Sequence, residues 1–257
     1  MKICVLFIGT GRYIELFPQV YESFEKYFLI NHEKKYFLFT DSKETPRGSN
    51  INIISIPWSG FPIDTLNRYH FFISIKEQLK EFDVIYYCDV DMKIMKPIGN
   101  EFLPTKEKSL IAVTHPFYFN ISLGTPETRK QSNAYISPEE KRHFYIVGGI
   151  QGGSTTEYLS ACETMINWID DDSKNNIVGK FEDESYWNKY MTVNQNLFRF
   201  YSPAYCYPSR IYSKGKIIWN IENPEHNRNR LINVPFLKYE PIILCVHKNH
   251  KELRKKP

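Results

Sequence analysis

The sequence lacks the features that define several large classes of protein. It has only five cysteines in 257 residues, an odd number, widely spaced and mostly set in apolar segments. This pattern indicates neither a disulfide framework nor a zinc site, and it fits a reducing, intracellular compartment best. The five are Cys4, Cys88, Cys162, Cys206 and Cys245.

Long hydrophobic runs are also missing. The apolar run from Ile3 to Ile8 is far shorter than the roughly 20 residues of a membrane-spanning helix, and it is too short for a signal peptide. We therefore expect a cytoplasmic protein without a membrane span.

Excess charge is confined to one end of the chain. Residues 247–257 contain five Lys or Arg and one acidic residue, so this tail alone accounts for the formal net charge of +4. Nucleic-acid-binding proteins normally present a wider basic surface, and we expect no nucleic-acid partner. Two interpretations of the tail stay open at this point: a solvated terminus, or a lid over an anionic ligand.

What the chain does have is the composition of a folded α/β domain. Its 42% hydrophobic and 24% charged residues are ordinary for a globular protein, and 257 residues suit a single domain. Strand patterns alternate with helix patterns, which predicts a mainly parallel sheet flanked by helices. In such sheets, ligands bind beyond the carboxyl ends of the strands.

Hydrophobic periodicity and turn residues predict the individual elements. The glycines after Val147 are expected to end a short strand, and the segment Ser154-Thr155-Thr156-Glu157 is expected to form a capping box that opens a helix. We predict helices at 17–28, Asp64–Phe82, Ser154–Trp168 and Glu184–Met191. Strands are predicted at Lys2–Ile8, Lys35–Thr40, Asn50–Ile56, Val84–Cys88, Ser109–Thr114, Phe144–Val147, Leu197–Phe200 and Ile242–Val246, with the last two completing the sheet.

Asp89 and Asp91 come directly after the apolar strand Val84–Cys88. Side chains two apart on an extended segment point the same way and can bind one hard cation, such as Mg²⁺ or Mn²⁺. Asp170 and Asp172 have the same spacing, but they lie in a polar run that we interpret as a solvated helix end. Paired carboxylates at the end of a buried strand repel each other and are poorly solvated, so a cation is the expected relief.

Three other segments allow an ordinary structural explanation as well as a functional one. Gly9-Thr10-Gly11-Arg12-Tyr13 either lets a nucleotide approach the backbone or simply makes a tight turn. A dinucleotide-binding turn would have a third glycine, where this chain has Ile14. The acids Glu182-Asp183-Glu184 precede a helix, where carboxylates commonly interact favourably with the helix dipole. A lone histidine such as His115 is more often structural than catalytic.

Taken together, these segments resemble the histo-blood-group A and B transferases, glycosyltransferase family 6, over nearly the whole chain from Tyr13 to Pro257. Many separate segments carry the resemblance, which makes it specific. They are Tyr36-Phe37-Leu38-Phe39-Thr40-Asp41, Asp89-Val90-Asp91-Met92, His115-Pro116, Gln131-Ser132-Asn133-Ala134-Tyr135-Ile136, Gly152-Gly153-Ser154, Asp183-Glu184-Ser185, Asn188-Lys189-Tyr190, Ser202-Pro203 and Lys248-Asn249-His250.

The resemblance implies a GT-A fold and transfer of galactose or N-acetylgalactosamine from its UDP derivative to a galactose 3-hydroxyl, with retention of the α configuration. It divides the single domain into a nucleotide-binding half (1–115), an acceptor and donor-sugar half (116–246) and a basic C-terminal lid (247–257). Glu184 would lie beneath the anomeric carbon. There it would form a glycosyl-enzyme adduct, or stabilise an oxocarbenium-like ion during front-face attack.

The resemblance also assigns ligand contacts by matching positions. Asp89 and Asp91 would hold Mn²⁺, with Mg²⁺ as the other candidate cation. Further donor contacts would be Ile8, Thr10, Tyr13, Arg68, Val90, Val147, Gly148, Gly149, Asp183, Lys248, His250 and Arg254, of which the last three would clamp the diphosphate as a lid. Acceptor contacts would be His115, Thr125, Phe181, Glu182 and Glu184. Because Gly149 leaves room for an acetamido group, UDP-N-acetylgalactosamine is the expected donor.

The chain departs from the family pattern mainly on the acceptor side. The usual Trp-His is Phe181-Glu182 here, an acidic position after Ser-Pro is Pro208, and the glycine after His-Pro is Phe117. A fucosylated galactose as the acceptor is therefore suggested only by analogy with the family. We expect an oligosaccharide or glycolipid-precursor acceptor, met at the inner membrane face through weak peripheral association.

Two other functions share some of these features. A sugar nucleotidyltransferase would share the fold, the metal and the Gly-Thr-Gly-Arg turn, but it should show a Pro-Lys signature soon after that turn, where this chain has Pro18-Gln19. A non-catalytic carbohydrate-binding protein would not need Glu184, both metal aspartates and the basic tail together.

Overall fold

The computed structural model describes residues 1–44, 46, 48–214, 216–223, 234–246 and 249–254. Within these residues, seven strands form the main sheet, in the order β3-β2-β1-β4-β7-β6-β8. All of them run parallel except β7, which lies antiparallel between β4 and β6. The strands are β1 (Lys2–Ile8), β2 (Glu33–Thr40), β3 (Ile51–Ser55), β4 (Val84–Cys88), β6 (Leu110–Thr114), β7 (Ile146–Ser154) and β8 (Phe198–Tyr201).

Two small sheets accompany the main one. One pairs β10 (Arg210–Ser213) with β11 (Lys216–Asn220), and the other has the order β5 (Met92–Ile94), β12 (Ile243–Cys245), β9 (Tyr207–Pro208). The α-helices are α1 (Phe17–Tyr27), α2 (Ile63–Leu66), α3 (Arg68–Ser74), α4 (Lys76–Leu79), α5 (Thr155–Lys174), α6 (Glu182–Val193) and α7 (His250–Leu253). None of the helices in the described ranges combines the length and hydrophobicity of a membrane span.

The core lies on both faces of the main sheet. Alternate side chains of β1 pack on one face against α1, and the others pack on the opposite face against α3, α5 and α6. Burial on both faces explains why β4, and β1 after Lys2, are apolar, and this apolar pattern predicted both strands with the bounds that the structure shows. The α/β architecture expected from the sequence is confirmed.

Strand β7 differs from its prediction. The sequence was expected to stop it before Gly148, but it continues through four glycines to Ser154. A Cβ atom at Gly152 would lie 2.6 Å from the Ile85 carbonyl oxygen, and one at Gly153 would lie 2.4 Å from that of Ser109. The glycines therefore allow close approach to both neighbouring strands, a use of glycine that resembles a turn in the sequence.

The predicted capping box is also wrong. Ser154 is the last residue of β7 and precedes α5, but its side chain makes no capping hydrogen bond. The start of α5 is held instead by Thr155, whose backbone N donates to the Asp83 carbonyl oxygen (3.1 Å) and whose hydroxyl donates to that of Phe82 (2.6 Å).

Two further elements are arranged differently from their predictions. The helix predicted over Asp64–Phe82 is divided into α2, α3 and α4, with breaks at Asn67 and Ile75, residue types with modest helix propensity. Strand β12 does not complete the main sheet. It lies in the small sheet, where it pairs antiparallel with β5, which starts directly after Asp91, and parallel with β9.

The second aspartate pair, Asp170 and Asp172, was interpreted as solvated, and this is wrong for Asp172. It is 1% exposed and accepts hydrogen bonds from the Ser132 hydroxyl (2.5 Å), the Tyr186 hydroxyl (2.8 Å), and the backbone and side-chain nitrogens of Asn133 (2.8 Å each). One carboxylate thus holds the loop before β7 against both α5 and α6.

We predict that Asp172→Ala lowers the free energy of unfolding by about 3 kcal/mol, because the substitution leaves several buried donors unpaired. Urea denaturation followed by circular dichroism measures the change. The control is Asp171→Ala, which removes an exposed pair with Lys174 and should cost no more than about 0.5 kcal/mol. Equal effects of the two substitutions would show that the buried network contributes nothing particular.

Candidate active site

The candidate site is a cleft of about 540 Å³ at the carboxyl ends of the parallel strands. Strands β1, β4 and β6 end there at Ile8, Cys88 and Thr114, and antiparallel β7 begins there. This arrangement gathers segments that are far apart in the sequence. The predicted site residues that line the cleft are Ile8, Thr10, Tyr13, Arg68, Asp89, Val90, Asp91, His115, Gly148, Gly149, Phe181, Glu182, Asp183, Glu184, His250 and Arg254.

Two predicted site residues do not line the cleft, and a third lies outside the described residues. Val147 is buried in the core, one residue before the lining begins. Thr125 is hydrogen-bonded to the Tyr118 hydroxyl (3.0 Å) and is not among the lining residues. Lys248 lies outside the described residues, as do Lys255 and Lys256 of the basic tail.

The two candidate metal ligands differ in exposure. The Asp89 side chain is 33% exposed, and its Oδ1 accepts hydrogen bonds from the Tyr87 hydroxyl and from Arg68 Nη2 (3.4 Å). Asp91 is only 1% exposed, and its backbone oxygen accepts from Val246 N (2.8 Å). Both line the cleft, as the prediction of convergent side chains requires.

Arg68 connects the main parts of the site. Its Nη1 donates to the Gly148 carbonyl oxygen (2.9 Å) and to Asp183 Oδ2 (2.5 Å), while its guanidinium lies 4.1 Å from the centre of the Tyr87 ring. Arg68 stays protonated, since facing Asp183 and Asp89 raises its pKa against the effect of burial. Its buried Nε has no hydrogen-bond partner within the described part of the chain, so one donor remains for a ligand.

Glu184 is the third residue of α6, which begins at Glu182. Its Oε2 accepts a hydrogen bond from Gly148 N (2.8 Å), which holds the carboxyl group against the first residues of β7. Burial raises the pKa of Glu184 to about 7, against the opposing effects of that N–H group and of the Tyr145 hydroxyl. Burial likewise raises the pKa of Asp183, and Arg68 opposes the rise.

Glu182 begins α6 in an unusual backbone conformation. Its φ of 40° is left-handed, which is uncommon outside glycine and tends to occur at functional sites. Desolvation raises the pKa of Glu182, and nearby Arg254 opposes this effect.

The C-terminal segment packs over the start of the chain. The Tyr13 hydroxyl is hydrogen-bonded to His250 Nδ1 (2.7 Å), and the Arg254 guanidinium lies 3.6 Å from the centre of the Phe61 ring. Leu253 is buried at the same place. The described part of the tail is therefore a wall of the cleft, which excludes the interpretation of residues 249–254 as a fully solvated terminus.

His115 lies at the opposite side, after β6. Burial lowers the pKa of His115 to about 4, so the ring is neutral at physiological pH. Its Nδ1 accepts from Phe117 N (3.2 Å), which places the ring proton on Nε2. A neutral Nε2–H group suits hydrogen bonding to a hydroxyl.

Sequence reasoning missed several lining residues. Asp64 is buried and accepts from the backbone nitrogens of Ser59 (3.0 Å) and Gly60 (3.1 Å), which shapes the loop before α2. Aromatic side chains resemble core residues in a sequence, and no local pattern distinguishes them. The missed residues are Trp58, Gly60, Phe61, Asp64, Thr65, Tyr87 and Leu253.

The charge of the cleft limits what it can bind. Its described lining contains six carboxylates, together with two arginines and two histidines. Arg68 is already paired with Asp183 and Asp89. A polyphosphate would therefore meet net negative charge unless a cation accompanied it. The carboxylates are Asp64, Asp89, Asp91, Glu182, Asp183 and Glu184.

The chain is similar in sequence to several known transferases. The sequence is 31% identical over 220 residues to the O-antigen biosynthesis glycosyltransferase WbnI of Escherichia coli, which covers 84% of this chain and 92% of the relative. It is 27% identical over 255 residues to the globoside alpha-1,3-N-acetylgalactosaminyltransferase 1 of Mus musculus (93% and 67%). It is 25% identical over 254 residues to the histo-blood group ABO system transferase 1 of Rattus norvegicus (95% and 66%).

The chain thus spans about two thirds of the length of these mammalian relatives and nearly all of the bacterial one. The model of the family described as glycosyltransferase family 6 matches residues 1–231, which include both aspartates of the cleft and Glu184. With its GT-A fold, the chain belongs to glycosyltransferase family 6.

Proposed function

We propose that this protein is a metal-dependent, retaining α-1,3-glycosyltransferase that moves N-acetylgalactosamine from its UDP derivative to a galactose-containing glycan. The observation that carries the proposal is the single cleft in which Asp89, Asp91, Glu184 and the segment from His250 to Arg254 come together. The names of the murine and bacterial relatives support α-1,3 transfer and a glycan acceptor.

The residues present fit a hard divalent cation. Asp89 and Asp91 supply carboxylate oxygens to one cleft, and within the described residues no group of three or more His, Cys, Asp or Glu side chains is arranged to hold a metal ion. Mn²⁺ or Mg²⁺ would then keep open positions for diphosphate oxygens. When bound, the cation would neutralise charge on the departing UDP.

The protein supplies the remaining charge stabilisation and orientation. The Nε–H group of Arg68 can hydrogen-bond the diphosphate of the UDP-sugar. His250 and Arg254 face the same diphosphate from the tail. Ile8, Thr10 and Tyr13 lie beside the same wall, where a uracil ring would be enclosed. Because these groups are held in place before the sugar bond breaks, they favour the transition state over the bound substrate.

Glu184 is proposed to act on the sugar. In its ionised form it would either attack the anomeric carbon as UDP leaves, or stabilise the positive charge that develops there. Gly148 N orients the carboxylate for both roles. His115, Phe181 and Glu182 would contact the acceptor on the far side of Glu184.

The two rival functions fit less well. A sugar nucleotidyltransferase is disfavoured by the family match, and a binding module would have no use for a half-buried, oriented Glu184 in the cleft. Substrate turnover by the purified protein separates the enzyme from a binding module.

We predict that chelation abolishes transfer, and that Asp89→Asn and Asp91→Asn each lower kcat/KM at least about 100-fold, since each removes a charged ligand. Mass spectrometry of the product gives the rates, with and without excess EDTA. Asp170→Asn is the matched control, because it alters the other Asp-x-Asp pair at a partly exposed position, where the side chain faces His70. Full turnover in EDTA would rule out the metal.

We predict that kcat/KM rises as pH increases through about 7. The pKa of Glu184 is raised to about 7, so the reactive carboxylate is present above that pH and is lost by protonation below it. Steady-state rates between pH 5.5 and 8.5 measure the profile, and UDP affinity over the same range separates binding from chemistry.

The matched variants for this prediction are Glu184→Gln and Glu182→Gln. The first should lower kcat by about 100-fold or more, and the second should mainly change KM for the acceptor. A pH-independent rate, or full activity of Glu184→Gln, would remove Glu184 from its proposed role.

The wild-type enzyme should turn over UDP-N-acetylgalactosamine faster than UDP-galactose. A Cβ atom at Gly149 would lie 2.6 Å from Asp89 Oδ2 and 2.9 Å from Met92 Cε. Gly149→Ala should therefore disfavour the acetamido sugar and also weaken Mn²⁺ binding. Rates with both donors test the preference, and Mn²⁺ titration measures the second effect. Faster wild-type use of UDP-galactose would contradict the proposed donor.

A further inference from the structure

Asp91, the more buried of the two proposed metal ligands, is contacted by a part of the chain that is distant in sequence. The sequence pattern did not predict this contact. Asp91 follows β4, whereas the contacts to it come from the end of β12. The Cys245 thiol donates to Asp91 Oδ2 (3.4 Å), and Val246 N donates to the Asp91 backbone oxygen (2.8 Å). Main chain and side chain of Asp91 are thus both fixed by adjacent residues.

The backbone of Cys245 is held on both sides. In β12, Cys245 pairs with Met92 of β5 on one side and with Pro208 of β9 on the other. Its carbonyl oxygen accepts from Ser209 N (3.0 Å). Because β5 starts one residue after Asp91, the register between β5 and β12 sets the distance between thiol and carboxylate.

We propose that Cys245 is a positioning residue for the cation site, with its thiol setting the direction of the Asp91 carboxylate. This inference depends on the proposed role of Asp91 as a metal ligand. A carboxylate is rigid, so a hydrogen bond to Oδ2 also fixes Oδ1. Partners that hydrogen-bond a metal ligand commonly change metal affinity 10–100-fold when removed. A thiol is a weak donor, which places the expected effect at the low end of that range.

Cys245→Ala should therefore weaken Mn²⁺ binding by about tenfold, and Cys245→Ser should recover most of the affinity, because a hydroxyl also donates to Oδ2. Electron paramagnetic resonance of free Mn²⁺ during titration of the metal-free protein measures the affinity without relying on turnover. The control is Cys162→Ala, which removes a buried thiol from α5 in the core on the other side of the sheet.

Alkylation of the wild type provides a second measurement that needs no variant. Of the five cysteines, Cys245 alone is not buried. Iodoacetamide should label it first: an S–C bond forms, iodide leaves and the thiol proton passes to the buffer. Peptide mass spectrometry should show slower labelling in saturating Mn²⁺, and the alkylated protein should bind Mn²⁺ more weakly.

Several results would overturn the inference. Wild-type affinity in Cys245→Ala would show that the thiol does not position Asp91. An affinity of Cys245→Ser as low as that of Cys245→Ala would show that side-chain volume matters and the hydrogen bond does not. If the alanine variant does not fold, the alkylation of the wild type decides, and a labelling rate that is independent of Mn²⁺ would contradict the inference. A wild type that binds no Mn²⁺ would refute the metal proposal as well, whereas binding that is equal in all variants refutes only the present inference.

Discussion

The ion pair between Arg68 and Asp183 is the interaction on which the rest of the site depends. It joins the start of α3 to the start of α6, and the same guanidinium reaches the Gly148 carbonyl oxygen and Asp89. A buried charge without partners would be costly, so each member requires the others. Removing one member of the pair would leave an uncompensated buried charge at the start of α6, directly beside Glu184.

The antiparallel strand β7 gives this arrangement its shape. A wholly parallel sheet would bring only strand ends to the cleft, whereas β7 brings its first residues there, beside the last residues of β4 and β6. Gly148 N can then orient Glu184, while the Gly149 carbonyl oxygen accepts from Asp89 N (2.8 Å). The acidic cleft that results is suited to an anion only together with a cation.

Much of the fold could be predicted from the sequence because local pattern determines it. Strands β1 and β4 are apolar runs with sharp ends, and Asp89 and Asp91 stand at such an end. The roles proposed for Glu184 and the tail came from family resemblance. Long-range packing explains what was missed. In the sequence, the glycines of β7 have the pattern of a turn, and Asp172 cannot be distinguished from its solvated neighbours. Aromatic cleft residues such as Trp58 cannot be distinguished from core residues.

The contacts of Gly148 and Gly149 have a consequence for how such a site can diverge. This dipeptide contacts the carboxylate proposed to act on the sugar, a carboxylate proposed to bind the cation, and the arginine that links them. A substitution there cannot alter the fit of the sugar alone. Changes of donor preference should therefore show strong epistasis with positions around Asp89 and Glu184, and new specificities should be reached through paired rather than single substitutions.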